Sequence, residues 1–174
     1  MDSFTHIVIG ACIGEAVAGK KLGRKAMLSG ALAHSLPDAD TVTMLRMDLP
    51  DSLLAHRGLL HSFLFCLLIT PLLALIANRW YRPQAIGFWK WVSFFALLIF
   101  LHIFIDAFNN YGVGWLEPFN HYRFSFNTLY VVDPFFSIAP LIAAVTLLFV
   151  RRHVSVRKWI WRLGLGISLL YLGY

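Results

Sequence analysis

Residues 59–77 read LLHSFLFCLLITPLLALIA, a run that contains no Asp, Glu, Lys or Arg. At about 1.5 Å per helical residue, this run comes close to the roughly 30 Å thickness of a bilayer's hydrocarbon core. Pro71 within it kinks a membrane helix without ending it, because neighbouring groups satisfy the freed backbone carbonyl. The run therefore predicts a membrane-spanning helix.

Two further apolar runs, residues 89–108 and 133–150, are also long enough to cross a membrane. Three weaker runs are shorter, at residues 4–18, 26–37 and 163–174. Their length is typical of buried or re-entrant helices. We therefore predict an all-α fold, an integral membrane helical bundle with about five or six hydrophobic helices, some of them short or re-entrant.

The composition agrees with a membrane environment. Hydrophobic residues make up 59% of the chain and charged residues 14%, against about 45–50% and about 25% in soluble domains. The 174 residues fit a single domain, residues 1–174. Because the last segment stops within apolar sequence, a C-terminally incomplete domain is the alternative.

The formal net charge of +6 would raise the question of nucleic acid in a soluble protein. Here the basic residues lie beside apolar runs, where they meet lipid head groups. We therefore expect the lipid bilayer, not nucleic acid, to be the partner.

Basic residues cluster in alternate loops, which sets the expected topology. Loops 19–25, 78–90 and 151–162 carry most of the Lys and Arg and are predicted to face the cytoplasm. Loops 38–58 and 109–132 are then on the other side, where the His and Asp candidates also fall. The second of these loops is long enough to cover an outer site as a lid.

The sequence FLHIFIDAF, residues 100–108, places His102 and Asp106 four positions apart. On a helix, these side chains share a face and can bind one ion together. Ionisable residues in an apolar helix are costly and usually face the bundle interior. The pair is predicted to bind a metal, and a hydrogen bond that joins two helices is the alternative.

AHSLPDAD, residues 33–40, repeats this spacing with His34 and Asp38, although Pro37 is expected to turn the chain between them. Asp38 and Asp40 at a helix end can supply one metal ligand and one general base. An ordinary acidic turn or cap is the alternative. His34 is either a ligand with Asp38 or a residue that supports the ligands.

HRGLLHS, residues 56–62, contributes three more candidates at the start of the first span. His61 is predicted to enter the apolar helix and bind metal. Arg57 offers a planar fork for a phosphate or a structural carboxylate, or anchors the chain at the interface. His56 is a candidate catalytic residue, and a solvated interfacial histidine is the alternative.

Three more candidates stand alone in the sequence. His6, in SFTHIVIGA, is a candidate ligand only if it lies near the other candidate histidines and aspartates, since a lone histidine in a helix core is common. Asp133 precedes Pro134, so it is either a residue that supports the metal site or a helix N-cap. Glu15 is expected to pair with a basic residue.

The sequence lacks the motifs that several enzyme classes require. Cys12 and Cys66 form no CxxC pattern, and no GxSxG, Walker or HExxH motif is present, so thiolate sites, serine hydrolases, NTPases and zincins have no support. The nitrogen and oxygen donors suit a divalent metal. Zinc is favoured by the number of histidines, with manganese as the alternative.

Taken in order, MDSFTHIVIGA, AHSLPDAD, HRGLLHS and LHIFIDAF resemble the YdjM family of bacterial membrane-bound, metal-dependent hydrolases, over roughly residues 1–140. The resemblance implies a multi-pass protein of the bacterial inner membrane, and the loop charges predict that the site lies towards the non-cytoplasmic face.

That family is more distantly similar to the zinc-dependent phospholipase C and single-strand nuclease group. The comparison implies metal-site roles for His6, Asp38, His61, His102 and Asp106. The chain departs from that group in lacking a second HxxxD or HxxxE pair after Asp106.

The expected function is metal-dependent hydrolysis of a phosphoester or lipid-associated substrate by a metal-activated water. Asp38 or Asp40 would act on that water, Arg57 would bind substrate, and His56 is a further catalytic candidate. A transporter of metal ions or protons is one alternative, which predicts ionisable residues spread through the membrane depth. A non-catalytic membrane scaffold is another.

Overall fold

The computed structural model describes residues 1–41, 57–81 and 86–173. These residues form six α-helices and no β-strand, apart from an isolated antiparallel bridge between Val113 and Phe124. The helices are α1 (Ser3–Leu22), α2 (Arg24–His34), α3 (Phe63–Trp80), α4 (Phe88–Asp106), α5 (Pro134–Phe149) and α6 (Arg157–Gly173). Two short 3₁₀ turns, Pro37–Ala39 and Leu59–His61, precede α3. The all-α prediction is confirmed.

The first helix is longer than the apolar run predicted. It begins at Ser3, where the Asp2 side chain accepts a hydrogen bond from the Thr5 amide at 3.0 Å, and it continues to Leu22. Lys20 and Lys21, which were predicted to lie in the loop at residues 19–25, belong to the last turn of this helix instead. Lysines near a helix C-terminus interact favourably with the helix dipole. The turn is reduced to Gly23, whose φ of 60° suits glycine.

The last two helices also differ from the predicted runs. Helix α6 begins at Arg157, inside the loop predicted at residues 151–162, so its first turns contain basic and aromatic residues. Helix α5 has 16 residues, about 24 Å, which is shorter than the hydrocarbon core of roughly 30 Å. Among the described residues, α3 and α4 are the helices long and apolar enough to cross a membrane.

Helix α3 presents apolar side chains outward, including Leu67, Leu68 and Leu75. A soluble protein rarely exposes a continuous apolar surface of this kind, whereas a helix in contact with lipid does so along its length. The exposure of α3 therefore agrees with a membrane span rather than a core helix.

The described chain divides into two compact units, Met1–His34 with Leu129–Tyr174, and Ser35–Thr128. In the first unit, α1 and α2 form a closely packed hairpin with three glycines at the crossing. A Cβ built on Gly14 would lie 2.1 Å from the Ala26 carbonyl oxygen, and one on Gly30 would lie 2.1 Å from that of Gly10. Only glycine allows this approach, as in other small-residue helix contacts.

In the second unit, the chain after α4 folds back onto the end of that helix. The Phe126 amide donates to the Ala107 carbonyl at 2.7 Å, and the Trp115 indole N–H donates to the Ile103 carbonyl at 3.1 Å. The Trp115 ring also stacks on Phe63 at the start of α3. These contacts hold the beginning of α3 and the end of α4 together, which is where the candidate ligands lie.

Candidate metal centre

Four predicted ligands from three segments lie together within the second unit. Asp38 comes from the first 3₁₀ turn, His61 from the second, and His102 and Asp106 from the C-terminal end of α4. All four are buried, and the histidines and Asp106 have no exposed surface. Buried groups of this kind require partners that satisfy their charge and hydrogen bonding.

The donor atoms of this cluster lie within 4.8 Å of one another. His61 Nε2 is 3.1 Å from His102 Nε2, 3.6 Å from Asp38 Oδ1 and 3.4 Å from Asp106 Oδ2. His102 Nε2 is 3.5 Å from Asp38 Oδ1 and 3.8 Å from Asp106 Oδ2. Zinc bonds of about 2.0–2.2 Å imply separations of about 3.3–3.6 Å between ligand atoms in a tetrahedral shell. The spacing of the four donors therefore fits one metal ion.

The charge of the cluster also favours a divalent cation. Among the described residues, Asp38, Asp40 and Asp106 are buried within a few ångströms of His61, and Arg57 is the permanent cation that contacts the group. With neutral histidines, three carboxylates and one guanidinium leave two negative charges, which a divalent ion would balance. Uncompensated buried charge is costly, so a bound cation would stabilise this arrangement.

The protonation of His61 reflects the same negative surroundings. Burial lowers the pKa of His61, but the nearby carboxylates of Asp106, Asp38 and Asp40 outweigh burial and raise the pKa from 6.5 to about 10. Without a metal ion, a proton on this imidazole would offset part of the carboxylate charge. A metal ligand must be neutral, so a metal ion would replace that proton.

His61 does not enter the apolar helix as predicted. It ends a 3₁₀ turn, and Ser62 then acts as the N-cap of α3 by accepting a hydrogen bond from the Phe65 amide at 3.1 Å. A side-chain cap satisfies a helix N–H at this point, so the helix starts after His61. The turn places His61 on the chain entering α3, opposite the end of α4.

Arg57 is held in an unusual backbone conformation beside the cluster. Its φ is 59°, its amide donates to Asp40 Oδ2 at 2.9 Å, and its carbonyl accepts from the Gly114 amide at 2.9 Å. A non-glycine residue with positive φ costs about 1–3 kcal/mol and persists only where the surroundings fix it. The strained turn directs Arg57 towards the ligands.

The Arg57 side chain is engaged by three groups of the same unit. Its Nε lies 3.3 Å from Asp106 Oδ2, its Nη1 donates to Asn109 Oδ1 at 2.6 Å, and its guanidinium lies 5.5 Å from the Tyr111 ring centroid. Asn109 is not among the residues that the sequence motifs indicated. Asn109 lies three residues beyond the C-terminal end of α4 at Asp106, and this nearness in sequence was the available signal.

Asp40 lies beside the far nitrogen of a candidate ligand. Its Oδ2 is 3.4 Å from His61 Nδ1, while His61 Nε2 faces the other donors. Carboxylates that accept from the second nitrogen of a metal-binding histidine fix its tautomer and orientation. The geometry therefore favours a positioning role for Asp40, and its predicted role as a general base stays a prediction.

The remaining candidates belong to the first unit or fall outside the described residues. His6 and His34 belong to the first unit, where His6 Nδ1 is 3.5 Å from His34 Nε2. Asp133, also in that unit, is the N-cap of α5 and accepts from the Phe135 and Phe136 amides. Roles for these three in metal binding stay predictions, and His56 lies outside the described residues.

The helices and the buried cluster define an all-helical membrane protein with a His/Asp site that can hold a metal ion. The model of the YdjM inner membrane protein family matches residues 1–174. The chain belongs to that family.

Two curated relatives are similar to the chain. It is 30% identical over 122 residues to the inner membrane protein YbcI of Escherichia coli (strain K12), covering 69% of both chains. It is also 30% identical over 152 residues to the uncharacterized protein YfhP of Bacillus subtilis (strain 168), covering 82% of this chain and 45% of that protein. No solved structure matches the chain.

Proposed function

We propose that the chain is a membrane-bound hydrolase that depends on one divalent metal ion held by Asp38, His61, His102 and Asp106. The observation that carries the proposal is the spacing of these four donor atoms, between 3.1 and 3.8 Å for the five pairs given above. Two imidazoles and two carboxylates suit zinc or manganese. When bound, such an ion would lower the pKa of a coordinated water and polarise the scissile bond.

The residues around these donors support hydrolysis in different ways. Asp40 orients His61, and Asn109 and Tyr111 fix the guanidinium of Arg57 beside Asp106. Arg57 thereby keeps a permanent positive charge next to the site, where negative charge develops as a phosphoester is attacked. We propose a phosphoester in or near the lipid interface as the substrate, and a multi-pass inner-membrane topology with the site on the non-cytoplasmic side.

A metal site without catalysis is the second candidate, favoured by the number of protein donors. Four protein ligands complete a tetrahedral zinc shell, and closed shells are typical of structural sites. Hydrolysis at this site needs room for a water in a further position, which five-coordinate zinc or manganese provides.

The variant Asp40→Asn tests the assignment. If Asp40 orients His61, the amide should weaken metal affinity about 10–100-fold, and excess metal should restore most of the turnover. Metal affinity is measured by competition with a chromogenic chelator. Turnover is measured on phosphomonoester, phosphodiester and phospholipid substrates with added zinc or manganese.

Two other outcomes would change this account. Unchanged metal affinity with lost turnover would return Asp40 to the role of general base. Wild-type protein with a full complement of metal that hydrolyses no substrate of the panel would favour the structural site.

A further inference from the structure

A basic cavity of about 560 Å³ lies in the first unit, among α1, the segment before α6 and the first turns of α6. The described residues that line it include five permanent cations and one carboxylate. The cations are Lys20, Arg152, Arg157, Lys158 and Arg162. This volume falls within the range of about 300–1,000 Å³ for small-molecule sites. The residues named in the lining of the cavity all belong to the first unit, whereas the four proposed metal ligands belong to the second.

The floor of the cavity is a buried ion pair that neutralises itself. Arg157 Nε and Nη2 donate to the two carboxylate oxygens of Glu15, each at 2.7 Å, and Nη1 donates to the Leu147 carbonyl at 2.7 Å. The sequence predicted a basic partner for Glu15, and the partner is 142 positions away. Gly19 makes room for this pair, since a Cβ there would lie 2.5 Å from the Glu15 carboxyl carbon. The Glu15–Arg157 pair therefore gives the cavity a rigid floor that carries no net charge.

The rim of the cavity keeps its positive charge. Lys20, Lys158 and Arg162 are exposed, and the one carboxylate in the described lining is already paired with Arg157. Arg152 donates to the carbonyls of Lys20 and Lys21, so it closes the end of α1 and shapes the wall. The Arg162 guanidinium lies 5.3 Å from the Trp161 ring centroid. A rigid, electrically neutral floor under a cationic rim is a site for an anion.

We propose that this cavity binds a phosphate-bearing anion, with the head group of an anionic phospholipid and a soluble phosphate ester as the two sources. Basic pockets at the ends of membrane helices recognise acidic head groups through their phosphate oxygens. Trp161 supplies an aromatic wall of the kind found at the membrane interface. The side that holds the cavity is the one predicted to face the cytoplasm.

The test is native mass spectrometry of the purified protein titrated with phosphatidylglycerol, phosphatidylcholine, glycerol phosphate and inorganic phosphate. The wild type should retain one phosphatidylglycerol more tightly than phosphatidylcholine. Lys158→Gln with Arg162→Gln should weaken that binding about 30-fold, since each basic residue near an anionic surface contributes about a factor of five.

The matched control is Arg79→Gln with Lys90→Gln, which removes the same charge from exposed positions outside the cavity lining. Its binding should change by less than about threefold. Tighter binding of glycerol phosphate or inorganic phosphate than of phosphatidylglycerol would assign the site to a soluble anion, and the reverse order of affinity would assign it to a lipid. Equal loss of binding in both double variants would overturn the proposal, and so would equal wild-type binding of the two lipids together with no binding of glycerol phosphate or inorganic phosphate.

Discussion

His61→Ala, His102→Ala and Asp106→Ala are each expected to lower the metal content of the purified protein from about one ion per chain to near zero. Each change removes one of four donors whose spacing fits a single ion. The remaining ligands then hold the ion with an incomplete shell, and affinity falls by well over the 10–100-fold expected for loss of a supporting contact. Elemental analysis after gel filtration without chelator measures the effect.

The matched control for these variants is His121→Ala. His121 also lies four positions from a carboxylate, with Nδ1 2.9 Å from Glu117 Oε1, but its side chain is 83% exposed. The metal content of His121→Ala should equal that of the wild type, because the exposed pair of His121 and Glu117 does not supply the further donors that a metal shell needs. Unchanged metal content in all three ligand variants would reduce the cluster to a hydrogen-bonded contact between segments.

Arg157→Met is expected to lower the free energy of unfolding by about 3–5 kcal/mol, the largest loss of stability among the variants described. The change leaves the Glu15 carboxylate buried without its cation, and it also removes the donor to the Leu147 carbonyl. Thermal unfolding in detergent, followed by circular dichroism, measures the loss.

The double variant Glu15→Gln with Arg157→Met should recover part of the stability, since no unpaired charge is left in the interior. Arg79→Met, at an exposed position of α3, should change stability by less than about 0.5 kcal/mol. If the Arg157 variant unfolded at the wild-type temperature, the Glu15–Arg157 pair would not stabilise the unit.

The sequence predicted most of the candidate site because its signals were local. His102 and Asp106 share a helix face, and the polar residues of AHSLPDAD and HRGLLHS are conspicuous beside apolar runs. The orientation of Asp40 towards His61 Nδ1 could not be predicted, since it depends on a strained backbone at Arg57 and on the 3₁₀ turn before α3. Distances of this kind arise from tertiary packing, which spacing in the sequence does not encode.

The helix ends were less predictable than the helices. Hydrophobic runs mark the middle of a membrane helix, but α1 and α6 continue through the basic residues that flank those runs. The pairing of Glu15 with Arg157 brings together the two ends of the chain. Neither apolar run length nor local charge could indicate that partner.

The central claim is that Asp38, His61, His102 and Asp106 hold one divalent ion, and X-ray absorption at the metal edge of the purified wild-type protein tests it most directly. The account predicts about one ion per chain with a shell of nitrogen and oxygen at about 2.0–2.2 Å, including two imidazoles and no sulfur. A protein without metal after purification in zinc- and manganese-supplemented medium, or a shell containing sulfur, would contradict it.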